Sequence, residues 1–188
     1  MEVIGTIVVC LLIADLIVGT VHWAEDTYCG ATYEANKAKA QGIVRRVCAA
    51  NAWHHVQPTK MGDTFWSRNL LSIVVTWTLA AGCCIAGLHH WGLWLTAAVV
   101  CVGNEIHWWT HSKPPRLVKC LQEIGVCQSP QQHAKHHDGR FTTNYCTVTN
   151  WLNPILERLN YWRRLEAAIA LTGITPKRTE LVRDEQEH

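Results

Sequence analysis

Residues 70–102 read LLSIVVTWTLAAGCCIAGLHHWGLWLTAAVVCV, 33 positions with no Asp, Glu, Lys or Arg. One transmembrane helix needs roughly 20 apolar residues, so this run is too long for one span and fits two short ones. Gly87 and Gly92 flank His89-His90-Trp91, a place for a tight turn. The expected element is a helical hairpin over 70–88 and 91–109. Residues 3–24 form a further apolar stretch, interrupted by Asp15 and closed by His22-Trp23. A removable signal peptide would carry a basic start and an uncharged centre. This stretch has neither, so it is expected to be a retained span.

The rest of the chain fits around those spans. With 188 residues there is room for one ordinary domain, expected over 1–178, and a polar tail over 179–188. Charged residues make up 17% and Trp numbers 10. All 17 Lys and Arg fall in 25–69 and 103–188, which excludes disorder and argues against an ordinary soluble globule. The net charge of +2 gives no reason to expect a nucleic-acid partner. Lys37, Lys39, Arg45, Arg46, Lys60 and Arg68 lie in the first polar segment, and eleven more follow residue 102. The positive-inside rule then places the N-terminus and the turn near residue 90 outside, and both polar segments in the cytoplasm, or the stroma of a plastid. The expectation is an all-α, multi-pass integral membrane protein of about three spans plus amphipathic interfacial helices. Trp23, Trp66, Trp108 and Trp109 are expected as interfacial anchors.

Past residue 112 the chain is amphipathic. A short helix is expected over 117–128, with Leu117, Leu121 and Ile124 on one side. Asn153-Pro154 reads as an N-cap and first helical position. Behind it Ile155, Leu159, Trp162 and Ile169 recur at helical spacing up to a stop at Gly173. With Arg158, Arg163 and Arg164 opposite, this helix either lies along the membrane surface or packs on its neighbours. The nine Cys include no C-x-x-C pair. Their odd number and expected cytoplasmic placement point to free thiols at Cys29, Cys48, Cys120, Cys127 and Cys146.

The histidines carry the chemistry. Eight of eleven fall in four groups: His22-x-x-x-Asp26, His54-His55, His107-x-x-x-His111 and His133-x-x-His136-His137. Residues at i, i+3 and i+4 share a helix face, so three of these groups can each aim at one point. Adjacent His54 and His55 diverge by about 100°, reaching two metals or leaving one as a supporting residue. The charge rule gathers all four groups at one membrane face and sends His89-His90 to the other. Nine nitrogen and carboxylate donors exceed the four that one zinc needs and suit two metals. The Glu of the metalloprotease motif is missing after His107, and no Cys joins the set, which argues against structural zinc and iron–sulfur. Imidazole suits iron, and two irons can activate O2 for attack on an unactivated C–H bond, chemistry that belongs beside acyl chains.

Gly19-Thr-Val-His-Trp-Ala-Glu-Asp26, His54-His-Val-Gln-Pro58, Asn104-Glu-Ile-His-Trp-Trp-Thr-His111, His133-Ala-Lys-His-His137 and Asn144 through Pro154 resemble the Kua/CarF lipid desaturase family. The resemblance runs from about Asp15 to Arg178. It implies metal ligands at His22, Asp26, His54, His55, His107, His111, His133, His136 and His137. It also implies two iron ions cycling between Fe2+ and Fe3+, O2 as co-substrate, and a lipid alkyl or acyl chain as substrate. The chain shows no flavin or haem motif, so a separate electron donor of cytochrome b5 or ferredoxin type is expected. Asn51-Ala-Trp53 and Val148-Thr-Asn150 depart from the family pattern, and the short N-terminus suggests that a span of larger members is missing. A di-iron hydroxylase and a non-catalytic membrane metal-binding protein are the alternatives. Asp15 and Asn104 share faces with His22 and with His107. They are expected either to orient ligands or to hydrogen-bond between helices.

Overall fold

The structure, a computed structural model, describes residues 2–29, 42–138 and 141–177. Lys37, Lys39, Arg178 and the 179–188 tail lie outside the described residues. Within them the chain is helical, with no strand.

Helix α1 spans Glu2–Tyr28, α2 spans Ile43–Val56 and α3 spans Phe65–Ile85. The start of α3 is fixed by a capping box. Thr64 Oγ1 accepts from the Ser67 N–H at 3.1 Å, and Ser67 Oγ accepts from the Thr64 N–H at 3.0 Å. A turn through Gly87, at φ 97°, leads to α4, Trp91–Cys101. The expected hairpin is therefore present, with α4 packed against both α1 and α3. Helices α1 and α3 are long and apolar enough to cross a membrane, with mean hydropathies of 2.5 and 1.4. Their outward faces are apolar, as at Val9, Ile13 and Ile17 on α1 and Leu70, Val74 and Trp77 on α3. A soluble surface does not present such faces in contiguous stripes, so the chain is membrane-associated.

The third expected span is not one helix. It breaks at Val102 (φ −104°, ψ 13°), and α5, Gly103–His111, follows. At Gly103 an added Cβ would lie 2.8 Å from Val18 Cγ2, so glycine lets α5 approach α1. The Glu105 N–H donates both to the Val102 carbonyl at 3.0 Å and to Asn69 Oδ1 of α3 at 3.2 Å. Arg68 then ties α3 to α5 with a two-pronged ion pair to Glu105, Nε–Oε2 at 2.8 Å and Nη2–Oε1 at 3.0 Å.

Helices α6, Arg116–Glu123, and α7, Pro130–His137, complete the middle of the chain. Helix α6 ends before the expected residue 128, because its chain turns at Gly125, φ 78°. It buries Val118 and Gln122, leaving Leu117 and Ile124 exposed. The expected helix after residue 153 is two helices, α8 over Leu152–Arg158 and α9 over Tyr161–Ala170. Asn160 separates them in the left-handed region at φ 50°. Trp151, not Asn153, occupies the N-cap of α8. The Asn153 side chain instead brackets Cys146, accepting from its N–H at 3.0 Å and donating to its carbonyl at 2.7 Å.

Trp23 is likewise not an interfacial anchor. It stacks on Trp162 at 5.8 Å and donates its indole N–H to Glu166 Oε1 at 3.0 Å. Trp23, Tyr145, Cys146, Leu156 and Trp162 form a buried core that clamps the polar end of α1 against α8 and α9. On the α8–α9 stripe, Ile155 and Leu159 stay exposed, whereas Trp162 packs inward. The free-thiol expectation fails at one pair. Cys29 and Cys48 form a disulfide joining the end of α1 to α2, their Cα atoms 5.6 Å apart, well within bridging range. Cys120, Cys127 and Cys146 are free.

Candidate metal centre

The four histidine groups arrive from α1, α2, α5 and α7, and their side chains converge at one end of the helix layer. They sort into two sets. His54, His107, His111, His133 and His137 make the first, and His22, Asp26, His55 and His136 the second. Within each set the donor atoms lie within 4.8 Å of one another. His54 and His55 thus go to different sets, as their angular divergence on α2 allows. On α7, His133 and His137 share a face while His136 turns to the other set.

The two sets show the same electrostatic problem. In the first, His133 Nε2 lies 2.9 Å from His107 Nε2 and 3.0 Å from His137 Nε2. One proton can satisfy only one of these contacts. Two ligands on one metal at about 2.1 Å and a right angle stand about 3 Å apart, so a cation fits this spacing. In the second, His22 Nδ1 lies 3.1 Å from the Tyr145 carbonyl and His136 Nδ1 lies 2.7 Å from the Thr143 carbonyl. A carbonyl only accepts, so both rings donate from Nδ1 and turn Nε2 inward. Those Nε2 atoms face Asp26 Oδ2 at 3.5 and 3.3 Å. Among the described residues, buried His22 Nε2, Asp26 Oδ2, His54 Nδ1 and Nε2, His111 Nε2 and His136 Nε2 have no hydrogen-bond partner. Buried polar atoms are rarely left in that state, and a positive ion in each set would satisfy them. Burial also holds the His54 and His133 rings far below the usual imidazole pKa, in the neutral form that ligates metal. His55 is pulled down by burial and pushed back by its bond to Asp26.

Asp26 is buried, and its ion-pair partners are imidazoles. Its Oδ1 accepts from the Asn51 amide at 2.6 Å and lies 2.7 Å from His55 Nε2. Arg45 and Arg46 are exposed on α2 and form no pair with it. Asp15 and Asn104 hydrogen-bond to no imidazole among the described residues. Asp15 accepts from the Val148 N–H at 2.7 Å, the Thr149 N–H at 3.1 Å and the Thr149 hydroxyl at 2.7 Å. Asn104 donates to the Arg68 carbonyl at 2.9 Å. Both make the interelement hydrogen bonds that were the alternative to orienting a ligand.

Sequence reasoning missed the segment that supports the second set. Residues 143–149 are non-helical, and Tyr145–Thr149 are almost wholly buried against α1. At Gly19 an added Cβ would lie 2.6 Å from Cys146 Sγ, so glycine admits the segment. Asp15, Asn153 and Gln128, whose amide donates to the Cys146 carbonyl at 2.6 Å, take up its backbone groups. The segment then offers its Thr143 and Tyr145 carbonyls to the rings. Asn51 was also missed as an Asp26 partner. Its spacing, three before His54 and four before His55, was the available signal.

A cavity of about 460 Å³ opens beside both sets. His22, His54 and His107 form its polar end, and Ile17, Val18, Leu71, Val75 and Leu79 of α1 and α3 form its walls. Glu25, Asn51, Arg68 and Asn104 also border it.

Residues 11–179 match the lipid desaturase domain. A probable fatty acid desaturase of Acanthamoeba polyphaga mimivirus is 32% identical, over 96% of this chain and 90% of that protein. The chloroplastic fatty acid desaturase 4-like 1 of Arabidopsis thaliana is 30% identical, over 87% of this chain and 55% of that protein. Plasmanylethanolamine desaturase 1 of Mus musculus is 29% identical, over 95% and 69%. The chain spans about half the length of the plant relatives. No solved structure matches.

Proposed function

The chain belongs to the lipid desaturase family, and on that basis we propose that it is an integral-membrane di-iron enzyme that introduces a double bond into an alkyl or acyl chain of a membrane lipid. The observation that carries this reading is a pair of histidine sets bordering an apolar cavity walled by the two membrane-length helices. A lipid chain can enter that cavity from the bilayer without crossing water.

Under this proposal His54, His107, His111, His133 and His137 hold one iron, and His22, Asp26, His55 and His136 hold the other. Iron in such sites supplies O2 chemistry at unactivated carbon. The chain's own residues do the rest. The Thr143 and Tyr145 carbonyls fix two rings in the tautomer that presents Nε2. The Asn51 amide orients Asp26. The walls of α1 and α3 seat the lipid chain and exclude water beside His107. Removing two hydrogens from adjacent carbons releases two electrons, while reducing O2 to two waters takes four. Two further electrons and two protons come from outside, from a cytochrome b5 or ferredoxin-type donor.

Three crossings accompany the proposal: α1, α3, and α4 with α5 as one broken span. The distribution of Lys and Arg supports a metal end on the side of the cytoplasm or stroma. The Cys29–Cys48 disulfide argues the other way, since disulfides persist in oxidising compartments. Labelling a cysteine introduced at Lys113 in sealed vesicles decides the side.

The test of the reading is metal content together with lipid analysis. Anaerobically loaded protein is expected to hold about two irons per chain. Membranes of a host expressing it are expected to gain a desaturated lipid species absent from the control. One tightly bound zinc and no iron overturns the di-iron reading, and an unchanged lipid profile with iron loaded and a donor supplied overturns the desaturase.

A further inference from the structure

Tyr145 offers the second set more than a carbonyl. Its ring centroid lies 5.4 Å from that of His136 and 6.0 Å from that of His22. Behind it the ring contacts continue. Trp162 lies 5.2 Å from Tyr145, Trp23 stacks on Trp162 at 5.8 Å, and Tyr161 lies 5.0 Å from Trp162. Rings at such separations touch. Tyr145, Trp162 and Trp23 are buried, whereas Tyr161, the first residue of α9, is half-buried. A row of touching rings thus runs from two imidazoles of the second set to the surface.

Packing accounts for large rings in a core, but two features of this row go beyond packing. Its members are phenols and indoles, which give up an electron far more readily than a phenyl. Phe141, 4.0 Å from the His55 ring, is a phenyl and ends its own line of contacts there. The second feature is a place for a proton. Trp23 donates its indole N–H to Glu166 Oε1 at 3.0 Å, and Arg163 Nη2 holds that carboxylate from 2.7 Å. An indole that loses an electron becomes a strong acid, and a carboxylate at hydrogen-bond distance takes its proton.

We propose that Tyr145, Trp162, Trp23 and Tyr161 form an electron relay that protects the metal centre when O2 is activated with no lipid chain in the cavity. The inference rests on the desaturase reading for its oxidant. In productive turnover the lipid C–H bonds supply two electrons. Without lipid those electrons come from side chains, and the imidazoles of the two sets stand nearest. The relay supplies them instead, one at a time, from the Trp162–Trp23 pair across the Tyr145 ring. Oxidised Trp23 passes its N–H proton to Glu166. A reductant of thiol or ascorbate class in solution returns an electron at Tyr161, and Glu166 returns the proton to Trp23. The solution reductant is oxidised, oxygen is reduced to water with protons from solvent, and the protein ends unchanged.

The test reads radicals and damage rather than turnover. Iron-loaded full-length protein in lipid-free detergent is treated with hydrogen peroxide, which supplies an oxidant without an electron donor, and is frozen. Paramagnetic resonance is expected to show a tryptophan-centred radical, identified by the change that ring-deuterated tryptophan makes to its hyperfine pattern. Zinc-loaded protein is expected to show none. Trp162→Phe keeps a ring in the core but passes no electron. Its radical is expected to be lost, and repeated peroxide exposure to oxidise the metal-set histidines, read by mass spectrometry, and to release iron that wild type retains. Glu166→Gln keeps an acceptor for the Trp23 N–H but takes no proton, so the radical is expected to form and decay faster. Trp23→Phe is expected to shorten its life in the same way and serves where Trp162→Phe does not fold. Metal content and circular dichroism establish that each variant is folded. A role in packing alone moves none of these readouts. No tryptophan radical in iron-loaded wild type, or an undiminished one in Trp162→Phe, overturns the relay and leaves the desaturase reading standing. Protein that takes up no iron overturns both. A radical that depends on Trp162 in a protein that desaturates no lipid leaves the relay and removes the desaturase.

Discussion

His54-His55 and His89-His90 are both adjacent histidine pairs beside a tryptophan, and the fold sends them to opposite ends. The first pair sits on the last turn of α2, buried, one ring in each donor set. The second sits in the turn between α3 and α4, exposed. His90 Nδ1 there accepts from the Gly92 N–H at 3.0 Å, capping α4, and His89 Nδ1 lies 3.3 Å from Cys84 Sγ. About 17 residues of helix, roughly 25 Å, separate that turn from His107. The pairs differ in context: one ends a helix that packs on α1, the other joins two apolar helices. A pair of histidines acquires meaning only from the elements that carry it.

The sharpest way to break the contrast is to delete one ring at a time. His54→Ala removes a donor from the five-membered set and leaves the Asp26 set its four. Loss of its own iron is expected, with the other retained, and turnover falling more than about 100-fold, beyond what loss of a supporting residue causes. His55→Ala is expected to do the reverse. Iron counted in each variant, with a spectroscopic signature for the metal that stays, checks this. Identical loss of both metals in both variants would merge the two sets into one.

Asp26→Asn tests the second set alone. The asparagine keeps the shape and one acceptor, but removes the charge on which the Nε2 atoms of His136 and His22 converge at 3.3 and 3.5 Å. Turnover is expected to fall about 10–100-fold or more while the protein stays folded. Turnover per folded molecule near wild type would leave an all-histidine set of eight.

The sequence made the rings legible because i, i+3 and i+4 spacing survives from chain to helix. The charge pattern identified which groups share an end. The supports were not legible for a physical reason. His22 and His136 are oriented by the carbonyls of Tyr145 and Thr143, and every residue has a carbonyl. Sharing a face with His22 leaves Asp15 open to orienting a ligand or to packing, and spacing alone does not show that its carboxylate reaches the backbone of Val148 and Thr149. The break at Val102 escaped for the same reason. Only Gly103-Asn104 stands at it, and a glycine inside an apolar run does not by itself stop a helix; one group that stabilises the break, Asn69 Oδ1 on the Glu105 N–H, comes from another helix. The Cys29–Cys48 pairing depends on how α1 meets α2, which spacing alone does not encode.

The smallest effect is expected where the contrast is strongest. Replacing His89 and His90 together by Ala removes the cap on α4 and the contact with Cys84. Loss of a side-chain N-cap costs about 0.5–2 kcal/mol, and an exposed turn lets water take over much of that bond, so the lower part of the range applies. The apolar packing of α4 against α1 and α3 is untouched, so the hairpin survives. Neither ring belongs to a donor set. Iron content and turnover are therefore expected at wild-type level, with a slightly lower unfolding temperature in detergent. The double variant is compared with His54→Ala at equal protein level. Iron lost from the double variant with its fold intact would bring the hairpin turn to the metal end, and the separation of the two pairs would fall with it.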